Sequence, residues 1–186
     1  MTTQKFLIKI ASVLERLDID YAISGGIAVS VWGRPRYTAD IDIVVNIKSA
    51  QSVEDLVKLL SKEFKKAYSD KDLALDAFNR KGEFNIIEPE YGLKADFFIV
   101  PQEEFKLLEI KRAKKRKIGE KYINFISPED LIISKLLWFR EGQSTRQLED
   151  IASVIDVQTD LDKAYLKKWV KKLDLEKEWK EFKKLK

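Results

Sequence analysis

The chain has 186 residues, 45% of them hydrophobic, with 35 basic against 31 acidic side chains and a formal charge of +4. That length suits one domain with a modest helical appendage, the apolar share is ample for a core, and the mild positive charge is compatible with a polyanionic partner without demanding one. Cysteine and histidine are both absent, which excludes disulfides, Cys/His zinc sites, thiol nucleophiles and any imidazole base.

Chemistry, if present, must therefore rest on carboxylates, hydroxyls, lysine, arginine and oxygen-ligated metal ions. The apolar stretches at 41–47 and 131–139 are too short to span a bilayer. Charges at Lys5, Lys9, Glu15 and Arg16 interrupt any signal-peptide core. A soluble, cytoplasmic protein with no membrane partner is expected.

In chain order, Phe6, Leu7, Ile10, Leu14 and Leu17 follow helical spacing. Residues 21–24 read as a short strand running into Gly25-Gly26, and 27–32 as a short buried helix starting on those glycines. Gly33 and Pro35 mark a loop. Residues 40–47 read as a strand and 51–64 as an amphipathic helix. Residues 83–88 and 93–100 read as strands joined by the turn signal Pro89-Glu90-Tyr91-Gly92.

A short helix near 103–110 precedes a smaller hairpin over 116–119 and 121–126. Ser127, with Pro128 after it and Asp130 three residues on, starts a helix. Further helices fit 145–157, 162–173 and 175–183. The expected architecture is α+β: a mixed sheet flanked by helices over residues 1–126, then a small helical bundle over 127–186 packed on it.

Asp40-Ile41-Asp42-Ile43-Val44-Val45 places two carboxylates two positions apart on a strand, so both project from one face. Their repulsion is relieved by protonation or by a cation, and without His or Cys the natural cation is Mg²⁺ or Mn²⁺. Aspartate is poorly suited to strands, so an ordinary polar face is the weaker reading. Ser24-Gly25-Gly26 ends a strand and opens a helix, where glycine permits close backbone approach to a phosphate and the free N–H groups favour an anion. Asp96 lies among Leu93, Ala95, Phe97, Phe98, Ile99 and Val100. It needs either a metal or a simple partner, for which Lys94 on the same face is available.

Together these elements resemble the nucleotidyltransferase superfamily that includes DNA polymerase beta, the CCA-adding enzymes and the aminoglycoside nucleotidyltransferases. The stretch SGGIAVSVWGRPRYTADIDIVV looks most like bacterial AbiEii-type and minimal nucleotidyltransferases, and SPEDLIISKLLWFREGQSTRQLEDIASVI looks like their segment after the sheet. The resemblance implies that Asp40, Asp42 and Asp96 bind metal and carry catalysis. Ser24, Gly25, Gly26, Arg36 and Lys135 would bind the phosphates of a nucleoside triphosphate. The acceptor would be RNA, a protein or a small molecule, in a toxin–antitoxin setting by analogy alone.

Lys135 lies within an apolar helix surface, where it must snorkel outward or meet an anion. Asp150 is expected to support Lys135 or the helix packing. The run Lys111-Arg112-Ala113-Lys114-Lys115-Arg116-Lys117 reads equally as a polyanion guide and as a solvated connection. Two rival readings remain. Asp40-x-Asp42-x-Val44 fits a haloacid dehalogenase phosphatase motif, but there the aspartates should end an apolar strand, and here they begin one. The other rival is a catalytically silent nucleotide-binding or antitoxin-like partner.

Overall fold

A computed structural model describes residues 1–101 and 103–184. The chain forms two compact units, Met1–Ile27 with Tyr37–Ile126, and Ala28–Arg36 with Ser127–Lys186. Residues 28–36, placed with the sheet in the sequence reading, thus group with the C-terminal helices, and residues 185–186 of the expected bundle lie outside the described residues.

The first unit is built on a mixed sheet of β1 (Asp20–Ile23), β2 (Asp40–Asn46), β3 (Glu83–Glu88), β4 (Leu93–Ile99), β5 (Lys114–Ile118) and β6 (Lys121–Phe125), in the order β3-β4-β2-β1-β6-β5. The outer pairs β3/β4 and β5/β6 are antiparallel, β2/β4 and β1/β6 are parallel, and β1/β2 is antiparallel. Over β2 and β4 one face is apolar. Ile41, Ile43 and Val45 of β2 and Ala95, Phe97 and Ile99 of β4 are buried there, as strict alternation along each strand requires. Phe84 stacks on its cross-strand neighbour Phe97, with ring centroids 4.9 Å apart.

Helix α1 (Thr3–Arg16) is capped by Thr2, whose hydroxyl accepts from the Lys5 N–H. It buries Phe6, Ile10 and Leu14, and Phe6 meets Phe64 edge-on at 4.8 Å. Helix α2 (Gly25–Trp32) follows β1 directly, and α3 (Ala50–Glu63) packs with α1 through Val53, Leu56 and Leu60. Helix α4 (Lys71–Arg80) has no counterpart in the sequence reading. Asp70 caps it, but only Ala74 and Ala77 are buried and Leu73 is exposed, so it lacks the broad apolar stripe that periodicity detects. Helix α5 (Glu104–Lys111) packs on β1 and β2. Strand β5 begins two residues earlier than expected because Lys114 and Lys115 pair with Phe125 and Asn124.

The second unit contains α6 (Pro128–Gly142), α7 (Thr145–Val157), α8 (Lys163–Lys172) and α9 (Glu176–Lys184). The Ser127 hydroxyl accepts from the Asp130 N–H and donates to its carboxylate, at 3.1 and 2.7 Å. Helix α6 is buried almost all round from Pro128 to Leu136, so its charged residues there must be paired within the protein. Tyr165 of α8 accordingly donates to Asp130 at 2.6 Å, and Glu129 accepts from the Asp162 N–H.

Candidate active site

Asp40 and Asp42 open β2, and their side chains share the sheet face opposite the apolar one. The aspartates therefore begin the apolar strand, opposite to the polarity expected of a haloacid dehalogenase motif. In the parallel β2/β4 register Asp42 stands beside Asp96 and Asp40 beside Lys94. All three carboxylates thus lie on one face over two adjacent strands, about 4.8 Å apart. The antiparallel β3/β4 register adds Asn85, directly across from Asp96. No local sequence pattern pointed to Asn85, because its position depends on which strand pairs with which.

The glycines explain how Asp42 is held. The Ser24 N–H donates to the Asp42 carbonyl at 2.8 Å, bringing the end of β1 against β2. Gly25 adopts a φ of +56°, a left-handed conformation that costs other residues energy. A Cβ there would overlap the Asp42 carboxylate, while one on Gly26 would come within 2.8 Å of the Thr38 hydroxyl. Asp42 and Thr38 are therefore seated where side chains at 25 and 26 would stand. The first turn of α2 starts at this point, and the Ser24 hydroxyl makes no hydrogen bond among the described residues.

Lys94 is the cation already on this face. Its ammonium lies 2.9 Å from the Asp96 carboxylate, with the lysine 38% and the aspartate 13% exposed. The bond to Asp96 holds the Lys94 ammonium above its ordinary pKa; partial burial opposes this, and Asp40 and Glu83 add to it. Among the described residues no three acidic side chains are already gathered at metal-ligand spacing. The donor set nevertheless suits a hard cation: three carboxylates on one face, an amide opposite, and a backbone cradle that brings Asp42 close. Lys94 would have to leave and the carboxylates to close on the ion.

Arg36 and Lys135 are found together in the second unit, on Asp150. Arg36 grips that carboxylate with two nitrogens, at 2.8 and 2.9 Å, and the Lys135 ammonium lies 2.9 Å away. Asp150 is 4% exposed and Lys135 7%, so the lysine does not snorkel to solvent. Burial alone would raise the Asp150 pKa, but the bonds and charges of Arg36 and Lys135 outweigh it and hold the carboxyl below its usual value. Nearby, the loop after α2 is tied down by Arg34, whose N–H donates to Ser153 and whose guanidinium meets Asp156. Gln158 also donates to the Trp32 carbonyl at 2.7 Å.

A carboxylate pair at a strand start, a third carboxylate in register beside it and a glycine-led helix start against the pair thus lie together on the mixed sheet. Residues 3–186 match the model of the family described as "Nucleotidyl transferase of unknown function (DUF2204)". The chain belongs to that family, and it is a nucleotidyltransferase enzyme.

Solved structures show the same fold. An antigenic nucleotidyltransferase-like protein from Paracoccidioides brasiliensis superposes with a TM-score of 0.61 at 20% identity, over 95% of this chain and 91% of that one. The lincosamide antibiotic adenylyltransferase LnuA, in its lincomycin-bound form, gives 0.57 at 16%, over 84% and 99%. ANT(2")-Ia in complex with adenylyl-2"-tobramycin gives 0.56 at 16%, over 99% and 98%. A comparison with curated proteins finds no match. These likenesses show the fold and do not single out the AbiEii-type group. Among the described residues no helix is long and apolar enough to cross a membrane.

Proposed function

We propose that the chain transfers a nucleoside monophosphate from a nucleoside triphosphate to an acceptor hydroxyl, using the face that carries Asp40, Asp42 and Asp96 with Mg²⁺ or Mn²⁺. The observation that carries this reading is the parallel register that sets Asp96 beside Asp42 while Gly25 leaves room for the Asp42 carboxylate. Asp40 and Asp42 would hold the metal from one strand and Asp96 from the next. When bound, a divalent ion lowers the pKa of an attacking hydroxyl and stabilises the oxygens of a leaving pyrophosphate.

The residues of the chain supply the rest. In-line attack forms a new bond from the acceptor oxygen to the α-phosphorus and breaks the bond to the β-phosphate oxygen. Asp96, once released by Lys94, would take the acceptor proton. The Ser24 hydroxyl and the N–H groups at the Gly25-Gly26 start of α2 would receive the departing phosphates, where a helix N-terminus favours negative charge. Arg36 and Lys135 are proposed as phosphate-binding cations of the second unit. Both are bonded to Asp150.

A silent nucleotide-binding role is the second reading, favoured by the Lys94–Asp96 pair, since a lysine that stays in place leaves Asp96 unable to act. The acceptor stays open between RNA, protein and a small-molecule hydroxyl of the kind borne by the antibiotics bound in the structural neighbours. A cytoplasmic location and a toxin–antitoxin setting likewise stay expectations.

Calorimetry with each of the four nucleoside triphosphates, with and without Mg²⁺, tests the proposal beside an Asp40→Ala/Asp42→Ala control. Metal-dependent binding that disappears in the control is expected. Absence of binding to any triphosphate, or undiminished binding in the control, would refute it.

A further inference from the structure

Strand β5 lies at one edge of the sheet, and every residue from Lys114 to Lys117 is exposed. The pairing fixes where these cations point. Ile23 of β1 pairs with Phe125 of β6, so Phe125 and Ile123 share the apolar face with Ile43, while Tyr122 and Asn124 share the face of Asp40 and Asp42. The β5/β6 register then puts Lys115 and Lys117 on that same carboxylate face, opposite Asn124 and Tyr122. Tyr122 is 62% exposed, so an aromatic ring stands beside the lysines after all. The linear sequence hid this, because the ring comes from the neighbouring strand.

The strip also has a direction relative to the site. The Ile126 N–H donates to the Ile23 carbonyl, and the Ser24 N–H donates to the Asp42 carbonyl. The Phe125 end of β6, and with it Lys114, therefore lies at the catalytic end of the sheet. Three strand spacings separate β5 from β2, about 14 Å. On the carboxylate face a cationic strip thus runs from Lys115 to Lys117, beside Tyr122, away from the level of the carboxylates.

Lysine on an edge strand also discourages pairing with other sheets, but one or two charges suffice for that. Here Lys111, Lys114 and Lys115 have no carboxylate partner among the described residues, and Lys117 has only a loose contact, 4.0 Å, with the fully exposed Glu120. Four like charges in a five-residue strand repel one another, and a polyanion relieves that repulsion. An exposed ring beside spaced cations is the combination that binds single-stranded nucleic acid, by stacking on bases and contacting phosphates.

We propose that the β5–β6 hairpin binds a single-stranded polynucleotide through Lys115, Lys117 and Tyr122 and delivers its end to the carboxylate site as the nucleotidyl acceptor. The binding stands on the hairpin itself, whereas the acceptor role rests on the function proposed above.

Fluorescence anisotropy with labelled 12-nucleotide RNA and DNA strands, with neither triphosphate nor metal, separates the two. With about two phosphate contacts, log K should fall with log salt at a slope of about −1.4. A Lys115→Gln/Lys117→Gln variant should lose that slope and about tenfold in affinity at low salt, with an unchanged circular dichroism spectrum, whereas Lys114→Gln/Arg116→Gln, on the opposite face, should keep both. Tyr122→Ala should weaken binding about tenfold while leaving the slope intact. Asp40→Ala/Asp42→Ala should bind the strands at least as tightly as the parent, so a failed catalytic reading would leave this result standing. Tighter binding of RNA would show that the 2′-hydroxyl is read, and equal binding that only the phosphates are; either supports the strip. Failure of both strands to bind would overturn it, as would equal affinity in the Lys115→Gln/Lys117→Gln variant or equal competition by polyglutamate.

Discussion

Replacing Asp150 by alanine removes the one carboxylate that Arg36 and Lys135 share. Lys135 is nearly inaccessible, and the Arg36 side chain is a quarter exposed. Breaking a buried ion pair by deleting one partner costs about 3–5 kcal/mol, because a charge is left without compensation. Arg36 can recover some hydration, which puts the expected loss near the lower figure, about 3 kcal/mol. For a chain of this size that corresponds to a fall in Tm of about 6–12 °C. Urea denaturation at pH 7 followed by circular dichroism measures it. The sign with pH follows from the lowered Asp150 pKa. The contribution is complete above the unfolded value, near 4, and disappears as pH falls through the lower folded value. The gap between parent and variant should therefore close below about pH 4. A loss under about 1 kcal/mol at pH 7 would match an ordinary surface pair and refute the reasoning.

Gly25→Ala puts a methyl group into the space of the Asp42 carboxylate at a φ of +56°. Transfer activity should fall at least 100-fold, with about 1–2 kcal/mol of stability lost; a variant with full activity would show that Asp42 need not sit there. Lys94→Met removes the resident cation of the carboxylate face. A partly exposed pair is worth up to about 1 kcal/mol, so Mn²⁺ binding read by electron paramagnetic resonance should tighten about fivefold, and weaker binding would contradict the displacement argument. Asp96→Ala should abolish Mg²⁺-dependent transfer while leaving the melting curve cooperative; undiminished turnover would remove Asp96 from the mechanism.

The parts of the site that were legible in the sequence are those decided by neighbouring residues. Two-residue alternation alone puts Asp40 and Asp42 on one face, and the same rule offered Lys94 to Asp96, where the structure finds it. The helix start at Ser127 was equally local. What escaped depends on long-range pairing. Asn85 enters the site only through the β3/β4 register, and Tyr122 joins the lysines only through β5/β6. For Lys135 the sequence left snorkelling and an anion both open and offered Asp150 as a support, but helical spacing could not show that Arg36 would share that carboxylate. Helix α4 was missed because its buried side is two alanines, which leave almost no trace in a hydrophobic pattern.

The β2/β4 seam also has a consequence for how the protein reaches its working form. β1 with β2, and β3 with β4, are pairs close in sequence, and each can form early as an antiparallel unit. The parallel join between β2 and β4 spans some fifty residues and is intrinsically slower. Asp42 and Asp96 sit on opposite sides of that join, so a half-folded chain holding both antiparallel pairs still lacks the assembled carboxylate set. A cation that needs all three aspartates would bind the finished sheet and not its precursors, pulling the folding equilibrium toward the native state. The ion would then act as a check on the last long-range step of folding, before any nucleotide arrives.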